Sequence, residues 1–129
     1  MKDIILKIFD DSAKVKESFA KENAELIQEV VGVIAAAFTR GNKLLLFGNG
    51  GSAADASHIA GEFVNRFLLE RPGLPAIALN TDMAVITSIS NDYDYSEIFA
   101  RQVKALGQEG DVAVGFSTSG TSPNGLKKP

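Results

Sequence analysis

The 129-residue chain is 45% hydrophobic and 22% charged, the composition of an ordinary globular domain long enough to bury a core. Its formal net charge of −3 supplies no general basic field, which argues against nucleic acid or anionic membrane as partners, so any bound anion must be held by local geometry. The absence of cysteine excludes disulfides and thiolate chemistry and fits a reducing compartment.

The N-terminus Met1-Lys2-Asp3-Ile4-Ile5 carries an acid early and reads as no signal peptide, and no segment approaches the ~18 apolar residues of a membrane span. A cytoplasmic location is expected. From about Asp3 to Phe19, Ile5, Ile8, Ser12, Val15 and Phe19 fall at helical spacing, with Ile4 and Phe9 widening the stripe and Lys7, Lys14, Lys16 and Glu17 on the other side. A second helix is predicted over Glu22–Thr39, stopped at Gly41. Its apolar residues form two lines, Leu26-Val30-Val33-Ile34-Ala37 and Ile27-Val31-Phe38, too wide for packing on one side only. That helix is expected both to lie between a sheet and the first helix and to form a subunit interface.

Lys43 to Phe47 predicts a strand, and its run Leu44–Phe47 suits one buried on both faces of a parallel sheet. A Gly48-Asn49-Gly50-Gly51 turn follows, then a helix from about Ser52 to Phe67, where Ser52 and Asp55 have the form of a capping box. Ala56, Ile59, Ala60, Phe63 and Phe67 make its packing face; Asp55, His58, Glu62 and Arg66 make a polar line. Glu70–Gly73 is a loop and Pro75–Leu79 a second short strand, ended by Asn80-Thr81-Asp82. Met83–Ser90 fits strand or helix, and Thr81 or Asp82 as N-cap favours a short helix. After a polar turn at Asn91-Asp92-Tyr93-Asp94 comes a helix over Ser96–Leu106, with Ile98, Phe99, Val103 and Leu106 inward. Gly107 and Gly110 close it, and Val112–Phe116 is a third buried strand. The alternation predicts an α/β class with a parallel sheet and right-handed crossovers. Residues 1–129 read as a single domain, helical to about residue 41 and α/β from about residue 42.

Two loops carry the candidate chemistry. Gly48, Gly50 and Gly51 leave backbone amides uncovered just before a helix N-terminus, an arrangement that favours phosphate. Neither GxxxxGK[ST] nor the spacing of a dinucleotide fingerprint is present, and a plain strand-to-helix turn is the alternative. Beyond the third strand, Ser117-Thr118-Ser119-Gly120-Thr121-Ser122 places five hydroxyls in six residues where ligands of open α/β sheets bind. Pro123 suits the first position of a helix capped by Ser122. These neutral donors suit a phosphate monoester, unless the run is simply a loop. His58 and Glu62, at i and i+4, are placed to share a metal ion or a proton, or else form a solvated pair. Asn91 and Asp92 are candidates for sugar hydroxyls, or an ordinary turn. Glu62 lies ten residues beyond Ser52, about 15 Å along a helix. One pocket is therefore expected to combine the loops of one chain with the Glu62 helix of another.

Gly48-Asn49-Gly50-Gly51-Ser52-Ala53-Ala54-Asp55-Ala56-Ser57-His58-Ile59-Ala60-Gly61-Glu62, Asn91-Asp92-Tyr93 and Gly110–Asn124 resemble, in the same order, the sugar isomerase (SIS) domain of bacterial phosphoheptose isomerases. The resemblance implies a three-layer α/β/α fold with a flavodoxin-like parallel sheet and N-terminal helices at an oligomer interface. It implies conversion of sedoheptulose 7-phosphate to D-glycero-D-manno-heptose 7-phosphate, a step toward the heptose of lipopolysaccharide. Residues matching the family's substrate contacts are Asn49, Gly50, Gly51, Ser52, Glu62, Asn91, Asp92, Ser117, Thr118, Ser119 and Ser122. Those matching its zinc ligands are His58 and Glu62, one ion per subunit, with Glu62 also the catalytic acid/base. A homotetramer with sites at subunit interfaces is implied as well. Family members continue through more sheet and a C-terminal helix carrying a histidine and a glutamine, whereas this sequence stops at Lys127-Lys128-Pro129. Gly125 and Pro129 look unlike a helix continuing normally. The expectation is an incomplete product or a shortened relative, lacking half of the zinc site and a second acid/base. The reading from another class is a non-catalytic SIS protein that binds phosphosugars or a replication initiator; turnover separates the two.

Overall fold

No proline and only one glycine, Gly32, interrupt the chain between Lys2 and Thr39. In the computed structural model, which describes residues 1–127, this stretch is one 38-residue helix, α1 (Lys2–Thr39). The two helices expected here are thus joined, and there is no separate first helix for a second to pack upon. The expected break at residues 20–21 is bridged by i,i+4 bonds: Lys21 Nζ to Glu17 Oε1 at 2.5 Å, Ser18 Oγ to Glu22 Oε1 at 2.5 Å, and Asn23 Nδ2 to the Phe19 carbonyl at 3.0 Å. Helix-forming residues on both sides then propagate without a new nucleus. The end is as expected: Gly41 takes φ 80°, which a side chain would penalise.

The chain divides into two compact units, Met1–Ala35 and Ala36–Pro129. Within the first, Ile4, Ile8, Phe9, Val15 and Phe19 are exposed, and Lys7–Asp11 and Lys14–Asp10 pair at 2.6 Å. Such solvated pairs are worth a few tenths of a kcal/mol each.

The second unit holds β1 (Leu44–Gly48), α2 (Gly51–Val64), β2 (Ala76–Ala78), α3 (Met83–Asp92), a 3-10 turn (Tyr95–Glu97), α4 (Ile98–Leu106), β3 (Val112–Phe116) and α5 (Pro123–Leu126). The sheet is parallel in the order β2-β1-β3, with Leu44 beside Ala76 and Val112 and Gly48 beside Phe116. Strand alternation sends Leu45 and Phe47 to one face, where Leu45, Leu79, Ile98 and Phe99 form the buried cluster and Ile86, Ile89 and Val103 flank it. The Phe47 and Phe99 rings sit 4.9 Å apart. Each of these buried large side chains contributes about 1.5–3 kcal/mol. The opposite face of β1 meets α2, whose Ala56 and Ala60 are buried. Helices therefore cover both faces.

Local departures from the expected elements have identifiable causes. Helix α2 starts at Gly51, capped by Gly50 at φ 55° with no side-chain cap bond, so Ser52–Asp55 is not a capping box. Tight turning at a glycine replaces the side-chain cap. The same helix stops at Val64, leaving Phe67 outside it and 69% exposed. Arg71 takes over the helix end, donating to the carbonyls of Glu62 at 2.8 Å and Phe63 at 2.9 Å. Met83 onward is helical, as favoured, because Asp82 Oδ1 accepts from the amides of Ala84 and Val85. That helix runs on through Asn91 and Asp92, which were expected in a turn. Leu106 is 45% exposed instead of inward. β1 is buried as expected, but β3 is only half-buried, its Ala113 and Gly115 open, because an outer strand has a single neighbour. Gly125 lies within α5, while Lys128 and Pro129 fall outside the described residues.

At the amino ends of β1 and β3, the Asp111 carboxylate accepts from Lys43 Nζ at 2.5 Å, the Lys43 amide at 2.9 Å, the Gln108 amide at 2.8 Å and Asn42 Nδ2 at 3.3 Å. Burial by itself favours the neutral acid, yet the Lys43 ammonium and these amides hold the carboxyl well below its usual range. Asp111→Asn is expected to destabilise the protein by about 2 kcal/mol at neutral pH. Because the native pKa lies below the unfolded value of 3.8, this stabilisation is complete above that value and is lost as pH falls toward the native pKa. Urea denaturation at pH 7 and pH 3 should show the gap between wild type and variant narrowing at the lower pH. Among the described residues no helix is long and apolar enough to cross a membrane.

Candidate functional site

Parallel strands end on the same edge of the sheet, so the loops after β1, β2 and β3 gather there. The turn after β1 is tight. A Cβ on Gly48 would sit 2.7 Å from both Ser52 Cβ and Ser52 O, so this glycine is what lets α2 begin so close to the strand. Asn80, ending β2, donates to the Ala53 carbonyl at 3.0 Å and Ser57 Oγ at 2.9 Å, tying that strand to the same helix.

The loop after β3 is folded by its own hydroxyls. Ser117 Oγ accepts from the Gly120 amide at 2.9 Å, and Ser119 Oγ accepts from the Thr121 amide at 3.2 Å and the Thr121 hydroxyl at 3.0 Å. Gly120 takes φ 67° at the bend. Ser122 caps α5 by position, with Pro123 first in the helix, although its side chain makes no cap bond. A cavity of about 270 Å³ opens between Phe116, Ser117, Gly120, Ser122 and Leu126.

These two loops are joined. Asn49 Nδ2 donates to Asn124 Oδ1 at 2.8 Å and Asn124 Nδ2 returns to Asn49 Oδ1 at 2.9 Å, while the Tyr95 hydroxyl donates to the same Asn49 oxygen at 3.1 Å. Sequence reasoning passed over Asn124 and Tyr95 as site residues. Asn124 had one usable signal, an amide directly behind the hydroxyl-rich loop; Tyr95 had none, since only the fold brings it to Asn49.

His58 and Glu62 lie on another surface of α2. Nε2 of His58 stands 3.5 Å from Oε1 of Glu62, with the histidine side chain 75% exposed and the glutamate 33%. They line a cavity of about 380 Å³ with Ile59, Phe63, Phe67 and Arg71, and no residue of either loop reaches it. Asn91 and Asp92 hydrogen-bond to each other at 2.9 Å at the end of α3, exposed, and among the described residues neither bonds to either loop. The imidazole and carboxylate are the donor types zinc takes, but among the described residues no group of three or more His, Cys, Asp or Glu gathers there. The pair supplies half of a tetrahedral set.

The SIS domain family matches residues 8–127. This chain belongs to the SIS domain family. Its SIS domain is 65% identical over 127 residues to the phosphoheptose isomerase of Thermodesulfovibrio yellowstonii, covering 98% of this chain and 63% of that protein. It is 57% identical over 127 residues to the phosphoheptose isomerase of Aquifex aeolicus, covering 96% and 66%. Two solved phosphoheptose isomerases share the fold. That of Francisella tularensis aligns with TM-score 0.89 at 40% identity, and that of Neisseria gonorrhoeae with TM-score 0.87 at 38%, each covering 95% of this chain and 64% of the other. The chain spans just under two thirds of the length of these relatives. The expected SIS-type α/β class with a parallel sheet is what the fold displays.

Proposed function

We propose that the protein is a cytoplasmic phosphoheptose isomerase, converting sedoheptulose 7-phosphate to D-glycero-D-manno-heptose 7-phosphate for lipopolysaccharide heptose. The observation that carries this reading is the joining of the Asn49 turn to Asn124, in the first turn of α5 directly behind the Ser117–Ser122 loop, at the carboxyl ends of β1 and β3. Beside that junction Ser117 and Ser122 line a cavity of about 270 Å³, room for a phosphate monoester held by neutral groups. High identity to proteins named phosphoheptose isomerase supports the same reading.

In this proposal Ser117, Thr118, Ser119 and Ser122 hold the phosphate. Asn49, Gly50, Gly51, Ser52, Asn91 and Asp92 hold the sugar chain. Aldose–ketose isomerisation moves a proton between C1 and C2 through an enediol. Glu62, partly exposed on its cavity wall, takes that proton from C1 and returns it to C2, while the hydroxyl proton passes from O1 to O2 so that the ketose carbonyl becomes a hydroxyl and C1 becomes the aldehyde. His58 stands beside it, able to stabilise negative charge near the reacting oxygens. A zinc ion would be held by His58 and Glu62 with ligands from outside this pair, and when bound would polarise the carbonyl.

The loops and the His58–Glu62 pair face separate cavities, which supports a homo-oligomeric enzyme, tetrameric in this reading, whose pockets join the loops of one subunit to α2 of another. The direct test is incubation of the purified full-length gene product with sedoheptulose 7-phosphate, followed by NMR, with zinc and after chelation. Conversion to the aldose that falls at least about tenfold on chelation is expected. Phosphosugar binding without any conversion would replace this reading with the non-catalytic one.

A further inference from the structure

We infer that Tyr95 and Asn124 are positioning residues that lock Asn49 in a single orientation and make it a hydrogen-bond donor to an oxygen of the phosphosugar. The inference rests on the isomerase reading of the site and specifies the polarity of one of its contacts. Asn49 Oδ1 accepts from Asn124 Nδ2 at 2.9 Å and from the Tyr95 hydroxyl at 3.1 Å, so both lone pairs of that oxygen are engaged. One hydrogen of Asn49 Nδ2 is given to Asn124 Oδ1 at 2.8 Å. Among the described residues nothing takes the remaining N–H, which leaves it as the polar feature of the side chain that a ligand can meet. A ligand atom meeting Asn49 here must be an acceptor, as the hydroxyl, carbonyl and phosphate oxygens of a phosphosugar are.

The latch is set in firm surroundings. Asn124 is 3% exposed, so water does not compete for its amide, and a buried amide pair is costly to leave half-made. Tyr95 stands on the 3-10 turn that packs against α3, α4 and α5, and Glu97 of that turn pairs with Lys127 just beyond α5. Three segments far apart in sequence are thereby fixed on a single carboxamide.

The test measures Kd for sedoheptulose 7-phosphate by calorimetry, with kcat and KM in parallel, on the full-length protein. Tyr95→Phe removes one donor to Asn49 Oδ1 at an exposed ring. It should weaken binding about fivefold, the effect of one neutral hydrogen bond, with kcat within about twofold and an unshifted melting temperature. In an Asn49→Ala background the same substitution should have no effect, because the group through which Tyr95 acts is gone. A purely structural role would persist there. Asn124→Ala should follow the same pattern with a larger loss; if that variant does not fold, the Tyr95 comparison decides alone. An unchanged Kd in Tyr95→Phe, or a loss that survives undiminished beside Asn49→Ala, overturns the latch. A wild type that binds the phosphosugar without turning it over overturns the isomerase reading and leaves the Kd comparison to decide the latch. A wild type that binds none overturns both.

Discussion

Glu62→Gln is expected to lower kcat on the order of a thousandfold while leaving the fold and its stability in place. The substitution keeps shape and volume and removes only the ability to accept a proton. Stability is insulated because the Glu62 carbonyl, not its carboxylate, holds the Arg71 guanidinium that finishes α2. The carboxylate's neighbour His58 lies at 3.5 Å and is mostly exposed, so the pair contributes little to folding. Urea denaturation should place the variant within about 0.5 kcal/mol of wild type. Equal loss of kcat and stability would mean that Glu62 is a structural residue. A variant with undiminished kcat would remove it from the chemistry.

The largest effect on stability is expected at Gly48. Its added Cβ would meet Ser52 Cβ and O at 2.7 Å and Ser52 C at 2.8 Å. Two of those atoms belong to the backbone of the first turn of α2, so relief requires moving the helix. Gly48→Ala should therefore destabilise by about 3 kcal/mol, at the upper end of overpacking costs. It should also weaken phosphosugar binding, since Asn49 and the start of α2 would shift together. Gly51→Ala is the control: a Cβ there meets nothing within 4 Å and the position is helical, so a change within about 0.5 kcal/mol is expected. Urea midpoints of the two variants check the contrast, and similar midpoints would show that the close approach of strand and helix is not what Gly48 provides.

Much of the second unit was legible because local signals and tertiary context agree there. Leu44–Phe47 and Val112–Phe116 are apolar runs bounded by glycine or polar residues, and both became strands. Asp82 before Met83 is a cap, and a cap decides between helix and strand where periodicity does not. The misreadings also have physical origins. Two apolar stripes, Asp3–Phe19 and Glu22–Thr39, read as two helices, but a stripe reports what a helix faces and not where it ends; nothing between Phe19 and Glu22 stops propagation. Ser52–Asp55 has the letters of a capping box, but Gly50 caps the helix two residues earlier and leaves Ser52 inside it. At the site, the glycine and hydroxyl loops declared themselves by composition. The bonds that join them did not, because Asn49, Tyr95 and Asn124 are 46 and 75 positions apart and meet only once the parallel sheet exists.

The proposal stands or falls on whether a pocket is built from two chains. Two variants with defects on different surfaces are needed: Glu62→Gln, which lacks the acid/base, and Ser119→Asp, which sets a negative charge in the phosphate loop. Each is expected to be inactive as a homo-oligomer. Co-expressed and purified as mixed oligomers, they should regain isomerisation of sedoheptulose 7-phosphate, because a pocket formed from an intact loop of one subunit and an intact α2 of the other carries neither defect. Mixed oligomers that assemble yet remain as inactive as their parents would contradict the shared site.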